Sequence, residues 1–88
     1  MHWDGIEYYS AALGRGVLYA FRGFVPHEPM HRFRLSGLSP HSRYALRFQH
    51  ASAAQTRMQS GEELMRQGVS VALPSPLTSE LVFFQTLP

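Results

Sequence analysis

Short segments in which apolar and polar residues alternate recur along the chain, and stretches that contain glycine or proline separate them. The clearest segment is 43–48, where Tyr44, Leu46 and Phe48 alternate with small or charged residues. A period of two is typical of a β-strand that buries one face. Strands at such short spacing favour an all-β fold, an antiparallel β-sandwich of about six to eight strands. The predicted strands are residues 6–10, 17–22, 31–35, 43–48, 69–73 and 79–85.

Some of these segments carry more than one apolar face. Segment 17–22 is apolar on both faces, which predicts an interior strand covered on both sides. Segment 79–85 is the most apolar, so it is either buried on both faces or offers one face to a neighbouring domain. Segments 31–35 and 43–48 have one apolar and one arginine-bearing face, and we expect them to pair as an antiparallel hairpin. Residues 50–59 are small and polar, which predicts a mobile loop.

One stretch changes to the pattern of a helix. Ser60 is suited to the N-cap, and Glu63 follows three residues later, as a capping box requires. Gly68 is suited to the left-handed position beyond the last turn. The prediction is one short helical turn near residues 61–67, which is too short to be stable unless Leu64 and Met65 pack on the sandwich.

The composition limits the class of protein. The 88 residues correspond to one domain, residues 1–88, and the absence of cysteine excludes disulfides and a cysteine nucleophile. No apolar run approaches the ~20 residues of a membrane span, and the first residues lack the basic-then-apolar form of a signal peptide. We therefore expect no membrane partner. The sequence does not fix the compartment, and a cytoplasmic location is favoured.

The candidate catalytic and metal-binding residues form no recognisable pattern. Glu62 and Glu63 are adjacent and diverge by ~100° on a helix, whereas a glycosidase needs two carboxylates that face each other across ~5–10 Å. We interpret them as partners of the helix dipole. Four histidines lie in or beside predicted loops without a zinc-binding motif, and solvated side chains are the favoured interpretation. They are His27, His31, His41 and His50. The sequence thus predicts no catalytic residue, no cofactor and no metal site.

All eight basic residues are arginines, and the net charge is only +2. In the predicted hairpin, the aromatic residues fall on the face opposite the arginines, whereas surfaces that bind single-stranded nucleic acid interleave the two. A solvated face or an interface with another domain is therefore favoured, with no nucleic-acid partner. The four arginines concerned are Arg32, Arg34, Arg43 and Arg47.

Three motifs follow one another in the second half of the chain: GLSPHSRYAL at 37–46, SGEELMRQGV at 60–69 and SEL at 79–81. Their order and spacing resemble the small β-sandwich that ends bacterial α-galactosidases and related enzymes of glycoside hydrolase family 36. In that family two catalytic aspartates lie in a separate, upstream barrel domain. This chain has a single aspartate, Asp4, so the resemblance gives it no catalytic residue.

The resemblance implies a non-catalytic C-terminal module of a larger α-galactosidase-like glycoside hydrolase. Its partner would be the catalytic barrel domain of the parent enzyme, and its role would be to support that barrel or the assembly of a homo-oligomer. The alternative is a carbohydrate-binding module in which surface aromatic residues stack on sugar rings. The candidate sugar or interface contacts are Trp3, Tyr8, Tyr9 and Phe24.

Overall fold

The computed structural model describes residues 3–24, 28–49 and 56–88. In these ranges seven antiparallel strands form two sheets beside one short helix, which confirms the all-β prediction. No helix of the described chain is long and apolar enough to cross a membrane. The elements are β1 (Trp3–Ser10), β2 (Arg15–Arg22), β3 (Met30–Phe33), β4 (Arg43–Phe48), β5 (Thr56–Ser60), α1 (Gly61–Arg66), β6 (Val69–Ala72) and β7 (Thr78–Thr86).

The larger layer is a five-stranded sheet with the order β1-β2-β7-β4-β5, and the smaller layer pairs β3 with β6. The last strand lies at the centre of the larger sheet, because β7 pairs with both β2 and β4. Along β7 the buried Val82 and Phe84 alternate with the half-buried Leu81 and Phe83, so the core covers only one of its two apolar faces.

The hydrophobic core lies between the two sheets. One face of the large sheet contributes Leu18, Leu46 and Val82, and the small sheet contributes Val69 and Val71, all almost completely buried. Burial of these side chains is the main driving force for packing one layer on the other. The alternation in 43–48 therefore predicted the buried side of β4 correctly.

The prediction that segments 31–35 and 43–48 pair as a hairpin is wrong. β3 pairs with β6 in the small sheet, and β4 pairs with β5 and β7 in the large one. The apolar faces of β3 and β4 do contribute to one core, but from opposite layers. Their arginines consequently lie on the outer sides of different sheets and cannot form one basic stripe.

Part of the predicted loop at 50–59 is a strand. β5 runs from Thr56 to Ser60 along the edge of the large sheet, where it pairs with β4 from Arg43↔Ser60 to Arg47↔Thr56. An edge strand has one neighbour and needs few apolar residues, so its sequence lacks a strong strand signal. Residues 50–55 lie outside the described ranges.

The helix prediction is confirmed in detail. The Ser60 hydroxyl accepts a hydrogen bond from the Glu63 N–H at 3.1 Å, and the Glu63 carboxylate accepts one from the Ser60 N–H at 3.1 Å. Leu64 is completely buried, and its carbonyl accepts from the Leu35 N–H at 3.0 Å. A six-residue helix is thereby fixed by its cap and by the sandwich, since it could not persist alone.

Candidate docking face

One side of the five-stranded sheet faces away from the core and carries rows of apolar side chains among its polar ones. Successive strand residues point to opposite faces, so the burial of Leu18 and Ala20 directs Val17, Tyr19 and Phe21 outwards. The strand register extends this assignment to the neighbouring strands. We call this side the outer face, and its apolar members are Ile6, Tyr8, Val17, Tyr19, Phe21, Met58, Leu81 and Phe83.

These side chains form continuous rows across the strands. In one row Ile6 lies opposite Tyr19, which lies opposite Leu81. The next row, two residues along, runs through Tyr8, Val17, Phe83 and Arg47. Cross-strand partners at such positions lie ~5 Å apart, so the rows form one contiguous apolar patch.

The outer face is open in the described chain. Ile6, Tyr8 and Tyr19 are 50%, 66% and 39% exposed, and Val17, Phe21, Leu81 and Phe83 are half-buried. The prediction that 17–22 is covered on both sides is therefore met only on the core side. The largest contiguous apolar patch on the surface of a protein is often a functional contact surface.

Three arginines gather at one end of the outer face. Arg43 and Arg47 flank Ala45 on β4, and Arg15 lies two strands away on the same lateral row as Ala45. The guanidinium of Arg47 lies 4.6 Å from the centre of the Phe83 ring. None of the three arginines forms an ion pair with a carboxylate in the described ranges. The one acidic residue of this face is Asp4, which lies near the opposite end of β1.

The comparisons with known proteins agree with this architecture. The model of the glycosyl hydrolase family 36 C-terminal domain matches residues 3–84. The chain belongs to this family. A search of curated protein sequences finds no match.

Two solved structures share the fold of this family 36 C-terminal domain. The galactosidase domain of alpha-galactosidase-sucrose kinase, AgaSK, matches with a TM-score of 0.78 at 19% identity over 99% of this chain. The alpha-galactosidase from Lactobacillus brevis matches with a TM-score of 0.75, also at 19% identity over 99% of this chain. In both cases the match spans only 12% of the solved chain.

The four aromatic residues predicted as sugar or interface contacts are not brought together. Trp3 is 6% exposed, and its indole N–H donates to the Glu28 carbonyl at 2.9 Å. Tyr9 points inwards and stacks on the Phe84 ring at 5.8 Å. Tyr8 and Phe24 are exposed, but they lie near opposite ends of the β1–β2 pair. Of the four, only Tyr8 belongs to the outer face.

His31 and Glu62 make contacts within the fold, and His41 is exposed. His31 Nδ1 lies 3.0 Å from a Glu28 carboxylate oxygen, and the His31 ring stacks on Trp3 at 5.5 Å. Glu62 pairs with Arg66 at 3.1 Å along α1. No group of three possible metal ligands occurs in the described ranges, and His27 and His50 lie outside them.

Sequence reasoning missed two buried charged residues, Arg22 and Glu80, which are 2% and 4% exposed. Arg22 lies opposite Thr78 and Glu80 lies opposite Ala20, so the two are diagonal neighbours on the core side of β2 and β7. The Arg22 guanidinium also donates to the Leu73 carbonyl. Opposite charges at diagonal positions favour this register. The period of two in each strand could have predicted their burial, because Arg22 and Glu80 occupy the same alternating positions as the buried apolar residues.

We expect the stability of the domain to fall between pH 10 and about pH 12. The hydrogen bond between the Tyr9 and Tyr44 hydroxyls, 2.9 Å long, together with partial burial, raises the pKa of Tyr9 to about 12. In the unfolded chain the Tyr9 hydroxyl has its ordinary pKa of 10.0, so the unfolded state binds fewer protons in this range and unfolding becomes easier as the pH rises. Urea unfolding of the wild type, Tyr9→Phe and the exposed-site control Tyr8→Phe across this range measures the effect. The wild type and Tyr8→Phe should lose stability relative to Tyr9→Phe, and three parallel curves would show that the pKa of Tyr9 is not raised.

Proposed function

We propose that this family 36 C-terminal domain is a non-catalytic module of an α-galactosidase-like glycoside hydrolase and supports the catalytic barrel domain of its parent enzyme. The observation that carries the proposal is the outer face. Its apolar rows cross three adjacent strands and have no cover in the described chain. Exposure of these apolar side chains to water is unfavourable in free energy, and a permanently bound neighbouring domain would remove them from water.

The size of the outer face is appropriate for an interface between domains. Five strands spaced by ~4.8 Å, five to nine residues long and rising by ~3.3 Å per residue, give a sheet of at most roughly 20 by 25 Å. That is a flat area of about 500 Å², and protruding side chains increase the area accessible to solvent. A standard interface buries about 800 Å² on each partner, so one partner of ordinary size is sufficient to cover this face.

The positions of the carboxylates support a non-catalytic role. Glu63 caps α1, Glu62 pairs with Arg66, and Glu7 accepts a hydrogen bond from the Ser36 N–H at 2.8 Å. Each of these groups stabilises local structure. Glycoside hydrolysis uses two carboxylates that flank the scissile bond, whereas these three are engaged in local contacts of the fold.

We expect the purified chain to show no turnover of an aryl α-galactoside, while the coding sequence that adjoins Met1 encodes a barrel with two catalytic carboxylates. The polypeptide from that coding sequence should hydrolyse the substrate when it is produced together with this chain. Turnover by the 88-residue chain alone, or an adjoining sequence without a barrel, would overturn the proposal. Sedimentation of the chain tests the other supporting role, oligomer assembly. A dimer that Ile6→Arg dissociates would mean that a second copy covers the outer face, whereas a monomer leaves this face for the barrel.

The second candidate function, carbohydrate binding, depends on Tyr8. This ring is 66% exposed at the edge of the outer face, where it is accessible for stacking on a sugar. Calorimetric titration with galactosides distinguishes the two functions. Heat that disappears in Tyr8→Ala favours sugar binding, whereas no heat at millimolar sugar favours the supporting role.

A further inference from the structure

We propose that the arginine end of the outer face, formed by Arg15, Arg43 and Arg47, selects the docking surface of the partner domain by pairing with its carboxylates. This inference rests on the proposed function and adds the chemistry of the partner's surface. The partner would present an apolar centre opposite the rows of Ile6 and Tyr8. At one side of that centre it would present acidic residues.

The placement of the charges carries the argument. Arg43 and Arg47 are four residues apart on one strand, so their Cα atoms lie roughly 13 Å apart. Arg15 lies on the row between them, two strands away and therefore about 10 Å from the β4 backbone. Arg15 and Arg47 line one open depression together with Gln85 and Phe83, and Arg43 lies two residues beyond Ala45, which also lines it. All three arginine side chains are exposed.

The two ends of the outer face carry opposite charges. The opposite end of the face carries Asp4, which lies on the row of Phe21 and Ser79. That row is about six residues, or ~20 Å, from the row of Arg15. A face with positive charge at one end and negative charge at the other can fix the orientation of a partner that an apolar patch alone would leave free.

The contact between Arg47 and Phe83 prepares one of these cations for pairing. The guanidinium lies 4.6 Å from the ring centre, so the side chain is held over the sheet by a cation–π contact. A guanidinium in this position keeps donors available for a carboxylate in a bidentate geometry. Its conformational freedom is already reduced before the partner arrives, which lowers the entropic cost of the contact.

The test measures binding of this 88-residue chain to the catalytic polypeptide encoded beside it, at ~50 mM and ~500 mM salt. Arg47→Glu should weaken binding about tenfold or more at low salt, and the loss should shrink at high salt because screening weakens charge pairs. Arg43→Glu should behave in the same way without affecting the Phe83 contact. Arg32→Glu is the matched control, since it makes the same change of charge on an exposed arginine of the small sheet.

Each outcome decides one of the two proposals. If Arg47→Glu and Arg43→Glu bind like Arg32→Glu while Ile6→Arg prevents binding, the arginine inference is overturned and the proposed function remains. If Ile6→Arg also binds like the wild type, the outer face is not the interface and both proposals fail. Equal unfolding midpoints for the four variants and the wild type ensure that losses of binding are not losses of fold.

Discussion

Gly68→Ala is expected to lower the free energy of unfolding by about 2–5 kcal/mol, a large part of the stability of so small a domain. Gly68 follows the last turn of α1 with φ +86°, a conformation that costs other L-residues about 1–2 kcal/mol. A Cβ atom there would also lie 2.5 Å from the Phe33 carbonyl oxygen and 2.8 Å from its carbon. Relief of that overlap requires β3 and α1 to move apart, at a further ~1–3 kcal/mol.

Gly37→Ala is the matched control for this prediction. Gly37 also has a positive φ, +75°, but a Cβ atom there would have no neighbour within 4 Å. The control should therefore cost only about 1–2 kcal/mol, the conformational part alone. Urea unfolding followed by circular dichroism measures both variants. Equal losses in the two variants would mean that the close approach of Gly68 to β3 contributes nothing to stability.

Local features of the sequence predicted α1 well, because its determinants lie within nine residues. Ser60 and Glu63 cap each other, and Gly68 ends the helix as predicted. The strand at 43–48 was equally clear, since its alternation depends only on which face is buried. These signals act over a few residues and need no knowledge of the strand's partners.

The partners of the strands were not predictable in the same way. The alternation of β3 predicts that Phe33 faces the core. Because both sheets border that core, the pattern is equally consistent with pairing of β3 to β4 or to β6. β5 was missed because an edge strand with residues such as Gln59 and Ser60 has no strong apolar face. Pairing between distant segments is decided by the packing of the whole domain.

The candidate site was predictable in outline. The apolar character of 17–22 and 79–85 on both faces indicated a sheet with two covered sides, and the outer face is the side that this chain leaves open. The individual contact residues were less predictable. Residue type does not distinguish Trp3 and Tyr9 from Tyr8, because all three are aromatic. Their positions in the strand register nevertheless direct Trp3 and Tyr9 inwards.

If the proposed partner is the catalytic polypeptide encoded beside this chain, Ile6→Arg is expected to weaken binding to it by at least about 100-fold. Ile6 is 50% exposed on the outer face and lies opposite Tyr19, in the row that ends at Leu81. Docking would bury the new guanidinium in an apolar contact without a partner, and a buried unpaired charge costs several kcal/mol. Each 1.4 kcal/mol corresponds to a tenfold change in affinity.

The most direct test of the docking role compares the dissociation constants of Ile6→Arg and Met30→Arg for the catalytic polypeptide. Met30 is 57% exposed at the start of β3, so its replacement makes the same change at similar exposure in the small sheet. The proposed interface predicts a loss of at least about 100-fold for Ile6→Arg and wild-type affinity for Met30→Arg. Equal affinities for the two variants, or a larger loss for Met30→Arg, would contradict the claim that the outer face is where this domain supports its enzyme.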